Sequence, residues 1–239
     1  GTGDWSGRIV SLLPVTWVQD WPIPGEVLPQ NIGTMKWDGK IPFKHTEKLY
    51  IKRSDDFDED RLAPQWQWNY QPRKDYFSLT ERPGWLRLKA YRPLETNNLL
   101  KAGNTLTQRT FRKQNNDVTI KMDISNMQDG QKNGLCHFSS QHSAIGIVKE
   151  EDACYLEYRK NGNITKGIQI HSEFVWFRTE WGMDGKSQYY YSLDGDNFLP
   201  FGEKYQLTWG NYRGDRIGIY CFNDKKEDGF VDIDYCHYP

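Results

Sequence analysis

The feature that most constrains this chain is a long series of short segments in which polar and apolar residues alternate, separated by turn residues. Gln65-Trp66-Gln67-Trp68-Asn69-Tyr70 alternates at every step. Trp85–Ala90, Val118–Ile124, Asn133–Phe138, Cys154–Arg159, Ile168–Ile170, Phe174–Thr179, Gln188–Ser192, Arg216–Phe222 and Phe230–Cys236 read the same way. A strand points successive side chains to opposite faces, so each segment predicts a half-buried strand. Arg82-Pro83-Gly84 and Leu193-Asp194-Gly195-Asp196-Asn197 have the composition of turns. No segment holds a helical period. So many short strands predict an all-β, jelly-roll fold: a two-sheet antiparallel β-sandwich from about Ser54 to Tyr238 with almost no helix.

The texture before Ser54 is different. Arg8 to Trp17 starts strand-like and then meets Pro14, which suits an edge or a strand end. Trp21-Pro22-Ile23-Pro24-Gly25 excludes helix, because proline removes donors and restricts the residue before it. Beyond it the chain has Gly, Pro and Lys with little periodicity. The expectation is an extended N-terminal segment over 1–30, a connector over 31–53 and the sandwich over 54–239.

Composition narrows the function. Lys plus Arg number 31 and Asp plus Glu 32, with no basic stripe, so the cationic footprint of a nucleic-acid binder is missing. No apolar run approaches membrane-spanning length. Aromatic residues make up 15% of the chain, which suits both a β-sheet core and platforms for sugar rings. A neutral polysaccharide is the partner class these features fit. The four cysteines include no CxxC pair, which argues against a zinc ribbon and leaves them as small buried hydrophobes.

Two acidic groups stand out: Asp55, Asp56, Asp58, Glu59 and Asp60 at the start of the sandwich, and Asp232 and Asp234 on its last strand. First and last strands are often neighbours in a sandwich. Asp55, Asp56, Asp232 and Asp234 are therefore candidate ligands for a structural Ca2+, which prefers several oxygen donors. The alternative is a solvated edge that discourages strand pairing. Spacing alone pairs no two carboxylates across a glycosidic bond. Cys136-His137, with His142 nearby, is a conceivable dyad, but no third group orients it.

Alternation also suggests a ligand face. With Trp66 and Trp68 in the core, Gln65, Gln67 and Asn69 share the opposite side, where amides suit sugar hydroxyls. Thr107 and Arg109 are two residues apart and share a face of their own strand. Tyr189 and Tyr191 are candidate stacking rings. These seven residues form the predicted carbohydrate site. The competing reading makes Arg109 an ion-pair partner of a buried carboxylate.

Several motifs, in order, carry a family resemblance. Gly7-Arg8, Leu13-Pro14-Val15-Thr16-Trp17 and Trp21-Pro22 are followed by Ser54-Asp55-Asp56-Phe57 and Gln65-Trp66-Gln67-Trp68-Asn69. Glu81-Arg82-Pro83-Gly84-Trp85-Leu86-Arg87-Leu88, Asn104-Thr105-Leu106-Thr107-Gln108-Arg109, Tyr191-Ser192-Leu193-Asp194-Gly195 and Gly229-Phe230-Val231-Asp232-Ile233-Asp234-Tyr235 complete the series. The chain resembles the C-terminal region of glycoside hydrolase family 43 enzymes of the β-xylosidase/α-L-arabinofuranosidase type. The resemblance implies a concanavalin A-like sandwich preceded by the tail of a catalytic β-propeller, which residues 1–30 would represent. It implies an inverting hydrolase as parent, secreted or periplasmic in a bacterium, with every catalytic residue in the propeller and none in this fragment. The module itself would be a non-catalytic accessory or carbohydrate-binding domain for xylan, arabinoxylan or arabinan. The alternatives are a structural domain that stabilises the propeller and shapes its pocket, or a concanavalin A-like glycosidase in its own right. The connector and the loop from Ser139 to Ala144 depart from the family pattern.

Overall fold

A computed structural model describes residues 4–8, 12–40, 51–210 and 213–239, and in it the alternating segments form strands. Two antiparallel sheets hold nearly all of them. The seven-stranded sheet runs, in spatial order, Asn163–Ile170, Ala153–Lys160, His142–Glu150, Gln131–Phe138, Arg216–Asn223, Thr105–Arg109 and Gln67–Trp68. The eight-stranded sheet runs Leu199–Pro200, Lys186–Ser192, Phe174–Trp181, Asn116–Asp123, Phe230–His237, Leu86–Lys89 and Phe77–Ser78, with Tyr205–Gln206 also paired to Lys186–Ser192. Helix among the described residues is limited to 3₁₀ turns at Pro29–Asn31, Lys74–Tyr76 and Leu99–Lys101. The predicted all-β sandwich is the fold observed.

The inner faces meet in one apolar cluster. Leu135, Ile145 and Ile219 from one sheet pack with Ile120, Phe177 and Ile233 from the other. Each such side chain contributes about 1.5–3 kcal/mol when taken from water. A second, smaller cluster lies on the opposite face of the seven-stranded sheet. The chain crosses between sheets through residues 91–104, and this crossover lies over that face as a strap. Leu99 and Ala102 of the strap pack on Cys136, Ala144, Tyr220 and Phe222.

The strap explains a strand that alternation missed. His142–Glu150 is buried on both faces over most of its length, so its residues do not alternate in polarity. Gly146 adds to the disguise: a Cβ there would lie 2.1 Å from the Asn133 carbonyl oxygen, so the close strand contact excludes a side chain. The segment Gln65–Tyr70, predicted as one strand, pairs only at Gln67 and Trp68, opposite Thr107 and Leu106 at the sheet edge.

The described residues fall into two compact units, one made of those within 1–8 and 52–239, the other of those within 9–51. In the second unit Val15–Val18 pairs with Trp21–Pro24, and Val27–Leu28 with Ile32–Gly33. Two-stranded hairpins have free edges, which is where prolines are tolerated. The connector expected over 31–53 begins inside the second hairpin, and its residues 41–50 lie outside the described residues.

Residues 4–8 pack with the sandwich. Asp4 closes a turn by accepting from the Ser6 amide (2.8 Å) and hydroxyl (2.5 Å), and it pairs with Arg112 at 2.7 Å. Trp5 is buried in the main core, and its carbonyl accepts from the Asp215 amide at 2.6 Å. Gly214, at φ +77°, permits the approach, since a Cβ there would stand 2.4 Å from the Gly7 nitrogen. Trp5→Ala should therefore lower the unfolding free energy by about 3 kcal/mol, read from the urea midpoint at unchanged m-value. A midpoint equal to that of the parent chain would contradict this placement.

Candidate functional site

The predicted sugar-facing residues separate into three groups. Trp66 is buried, and its Nε1 donates to Asp55 Oδ2 at 2.7 Å. Trp68 packs against the core beside Phe77, with ring centroids 4.8 Å apart. The indoles are thus turned inward, and Gln67 and Asn69 take the outer face of the seven-stranded sheet. Gln67 is exposed, while Asn69 donates its amide hydrogens to the Leu100 and Ala102 carbonyls at 3.1 and 3.0 Å. Thr107 and Arg109 share this face. Arg109 is exposed and makes no ion pair among the described residues, so the expected alternative of a buried carboxylate partner is not met.

Thr107 and Gln65 play other parts. The Thr107 hydroxyl donates to the Gln67 carbonyl at 3.1 Å and accepts from Arg216 Nε at 2.8 Å, and the residue is buried. It fastens the edge strand and orients an arginine. Both polar atoms of the Gln65 amide are enclosed by protein.

Tyr189 and Tyr191 are a correction. Tyr189 has no exposed surface. Its hydroxyl donates to the Ser143 carbonyl and accepts from the His137 amide, both at 2.8 Å. Tyr191 packs against the core with its ring centroid 6.3 Å from that of Phe201. The strand Lys186–Ser192 turns alternate tyrosines of its run inward, so Tyr189 is closed to solvent and Tyr191 is half-buried against the core.

The acidic edge is a second correction. First and last strands are neighbours, as expected: Asp55 and Cys236 exchange backbone hydrogen bonds at 2.9 and 2.8 Å. The four carboxylates nevertheless have separate partners. Asp232 is almost fully buried and accepts from Arg87 Nε at 2.7 Å and Arg82 at 3.0 Å, the latter shared with Asp123. Asp234 pairs with Lys121 at 2.7 Å. Asp56 meets His237 Nε2 at 2.9 Å, and Asp55 accepts from Trp66 and the Phe57 amide. Among the described residues no three His, Cys, Asp or Glu side chains are placed to hold a metal ion. Asp232 is neutralised by arginine and Asp234 by lysine, so the four carboxylates expected to share one calcium do not converge.

No reactive dyad forms from Cys136 and His137, which are adjacent in a strand and face opposite ways. Cys136 lies under the strap, and burial pushes its thiol well up. His137 points into the core, where Nδ1 is 3.1 Å from Asp215 Oδ1 and Nε2 is 3.1 Å from Thr179 Oγ1. All three are buried, and burial raises the Asp215 carboxyl against the opposing effect of His137. This is an Asp-His-Thr array enclosed in the core. His142 faces outward and is also buried. Burial, helped by the charge of Arg159, brings its imidazole down to about 4.

A hollow of about 320 Å3 opens on the outer face beside the strap, between Asn69 and Tyr70 on one side and Phe138, Ser139 and Ser140 on the other. Arg213 and Arg216 also line it, and among the described residues no Asp or Glu does. Sequence reading passed over both arginines. The signal was present: in Arg216–Asn223 the set Arg216, Gly218, Tyr220 and Phe222 alternates with Ile217, Ile219 and Cys221, which places Arg216 outward. Another hollow, of about 490 Å3, lies by Asn97, Leu100, His142 and Asn161.

Residues 54–239 match the family described as the beta xylosidase C-terminal Concanavalin A-like domain. A beta-xylosidase of Formosa agariphila is 34% identical, aligned to 97% of this chain and 43% of its own length. The solved structure of a bifunctional GH43-CE protein of Bacteroides eggerthii superposes with a TM-score of 0.78 at 28% identity, over 99% of this chain and 31% of that one. The GH43 protein BlXynB of Bacillus licheniformis shares the fold, with a TM-score of 0.76 at 23% identity over 97% of this chain and 47% of that one. The chain thus spans less than half the length of these relatives.

Two outcomes test the electrostatics of these faces. A chelator should leave the melting temperature unchanged, whereas Asp232→Ala, which strands Arg82 and Arg87, should cost about 3 kcal/mol. A chelator-induced drop would restore the calcium assignment. His142 should make stability fall with acid. Its folded value of about 4 lies below the ordinary 6.5, so the unfolded chain takes up a proton first. This contribution is complete above about pH 6.5 and is lost towards pH 4, roughly 3 kcal/mol in all. His142→Gln should flatten the urea midpoint against pH across that window, and an unchanged slope would refute the assignment.

Proposed function

Since the chain belongs to the family of β-xylosidase C-terminal concanavalin A-like domains, we propose that it is a non-catalytic accessory module of a plant cell-wall glycoside hydrolase. On this reading it holds xylan-, arabinoxylan- or arabinan-type sugar on the outer face of its seven-stranded sheet. A catalytic propeller in the same parent chain is its partner, and the parent is secreted or periplasmic. The observation that carries the reading is the chemistry of the hollow beside the strap. Among the described residues its polar lining is amide, hydroxyl, ammonium and guanidinium without a carboxylate, whereas glycoside hydrolysis calls for two carboxyl groups flanking the bond. Donor-rich polar groups beside the aromatic rings of Tyr70 and Phe138 suit recognition of a sugar rather than its cleavage.

The scaffold reading draws on different residues. Thr107 and Tyr189 are committed to hydrogen bonds inside the sandwich, and so support a module that stiffens its neighbour without touching sugar. Affinity electrophoresis against arabinoxylan, arabinan and xyloglucan, run beside a reducing-sugar assay, separates the two. The expected result is retardation by at least one polymer without hydrolysis. Gln67→Ala combined with Asn69→Ala should reduce the retardation severalfold, with folding checked by circular dichroism. Migration unaffected by any polymer favours the scaffold, and release of reducing ends overturns both.

A further inference from the structure

The outer face carries an excess of positive charge that the sandwich does not explain. Arg216 and Arg109 stand directly opposite each other in neighbouring antiparallel strands. Like charges in that position repel, and a fold normally separates them or places a carboxylate between. Here no carboxylate intervenes among the described residues. Arg216 is 8% exposed, and its hydrogen bonds among the described residues go to Thr107, through the hydroxyl at 2.8 Å and the carbonyl at 3.5 Å. Neither is an anion. Arg213 adds a third guanidinium on the wall of the hollow. Burial first, then the charges of Arg213 and Arg109, bring Arg216 down to about 10. A buried cation without a counter-ion is costly, and removing the anion from such an arrangement leaves an uncompensated charge. The other buried arginine on this face, Arg159, has the carboxylate that Arg216 lacks, in Glu157 at 2.5 Å.

The geometry points to a carboxylate-binding subsite formed by Arg216 and Arg213, with Arg109 adding its charge from the neighbouring strand, taking the acid group of a hexuronic acid residue. A guanidinium fork matches a carboxylate bidentately. The hollow in front of Arg216 is about 320 Å3, at the lower end of the range for small-molecule sites and far larger than a bare ion requires. Its remaining lining suits a sugar ring. Tyr70 is 40% exposed and Phe138 is half-buried, which offers ring surface to a pyranose face. Asn69 spends its amide hydrogens on the strap carbonyls, so its Oδ1 is the acceptor left for a hydroxyl. An acid group on the arginines and a ring over Tyr70 describe an acidic sugar, borne on the polysaccharide as a unit or a branch.

This inference deepens the polysaccharide-binding reading and rests on it, and the experiment separates their failures. The full chain is titrated by calorimetry with a xylo-oligosaccharide bearing one glucuronic acid branch, with the unbranched oligosaccharide of equal length, and with sodium acetate. The expected result is at least tenfold tighter binding of the branched compound, a preference that shrinks as salt is raised. Arg109→Gln with Arg213→Gln should abolish the preference for the branched compound. Both substitutions avoid the buried Arg216, so the fold is kept. Equal binding of the two oligosaccharides would overturn the acidic subsite and leave the accessory reading standing. Binding of neither would overturn both. Acetate binding as tightly as the branched compound would reduce the site to a bare carboxylate pocket and overturn the sugar assignment.

Discussion

The two sheets are held in register by a polar contact inside an apolar core. Tyr189 belongs to the eight-stranded sheet, yet its hydroxyl bonds the His137 amide and the Ser143 carbonyl of the seven-stranded sheet. His137 returns the connection through Thr179 and holds Asp215 on its other nitrogen. Asp215 in turn ties Thr110 through its carbonyl and Trp5 through its amide. Apolar surfaces can slide at small cost, because dispersion and burial have little direction. A buried hydrogen bond has direction, and breaking it leaves a polar group unsatisfied. This array therefore sets where one sheet lies upon the other, and the outer faces inherit their geometry from it.

The outer faces differ in how they handle charge. On the eight-stranded sheet cations are matched by acids and rings. Lys121 pairs with Asp234 and lies 5.3 to 5.7 Å from the ring centroids of Trp85, Phe174 and Trp176. Arg87 lies 4.0 Å over Phe230, and Arg178 lies 3.7 Å over Phe198. Those contacts lock the surface into a closed set of mutual partners. The seven-stranded sheet leaves its donors open at one end and covers its middle with the strap.

Alternation made the fold legible, because period 2 is a local property that a single chain displays. It assigned Trp66 and Trp68 inward and Gln67 and Asn69 outward. It failed where local pattern does not fix phase. Tyr189-Tyr190-Tyr191 offers the same ring to both faces, and only the contact with Ser143 decides which ring is buried. It failed again where both faces are covered, as in His142–Glu150. The acidic edge was misread for another reason. Asp232 looks like a free ligand in sequence, but its neutralising partners, Arg82 and Arg87, are 150 and 145 residues away. The cationic cluster was hidden similarly, since Arg109 and Arg216 meet only through strand pairing.

The strap has a consequence for polymer geometry. It lies on the middle of the seven-stranded sheet, and Leu100 borders both the hollow at Asn69 and the hollow at His142. A linear polysaccharide laid along this sheet would meet a wall of backbone rather than a continuous furrow. The strap stands between the two hollows, so a straight chain could not fill both without crossing it. The crossover between the sheets is thus also the partition of the face it crosses.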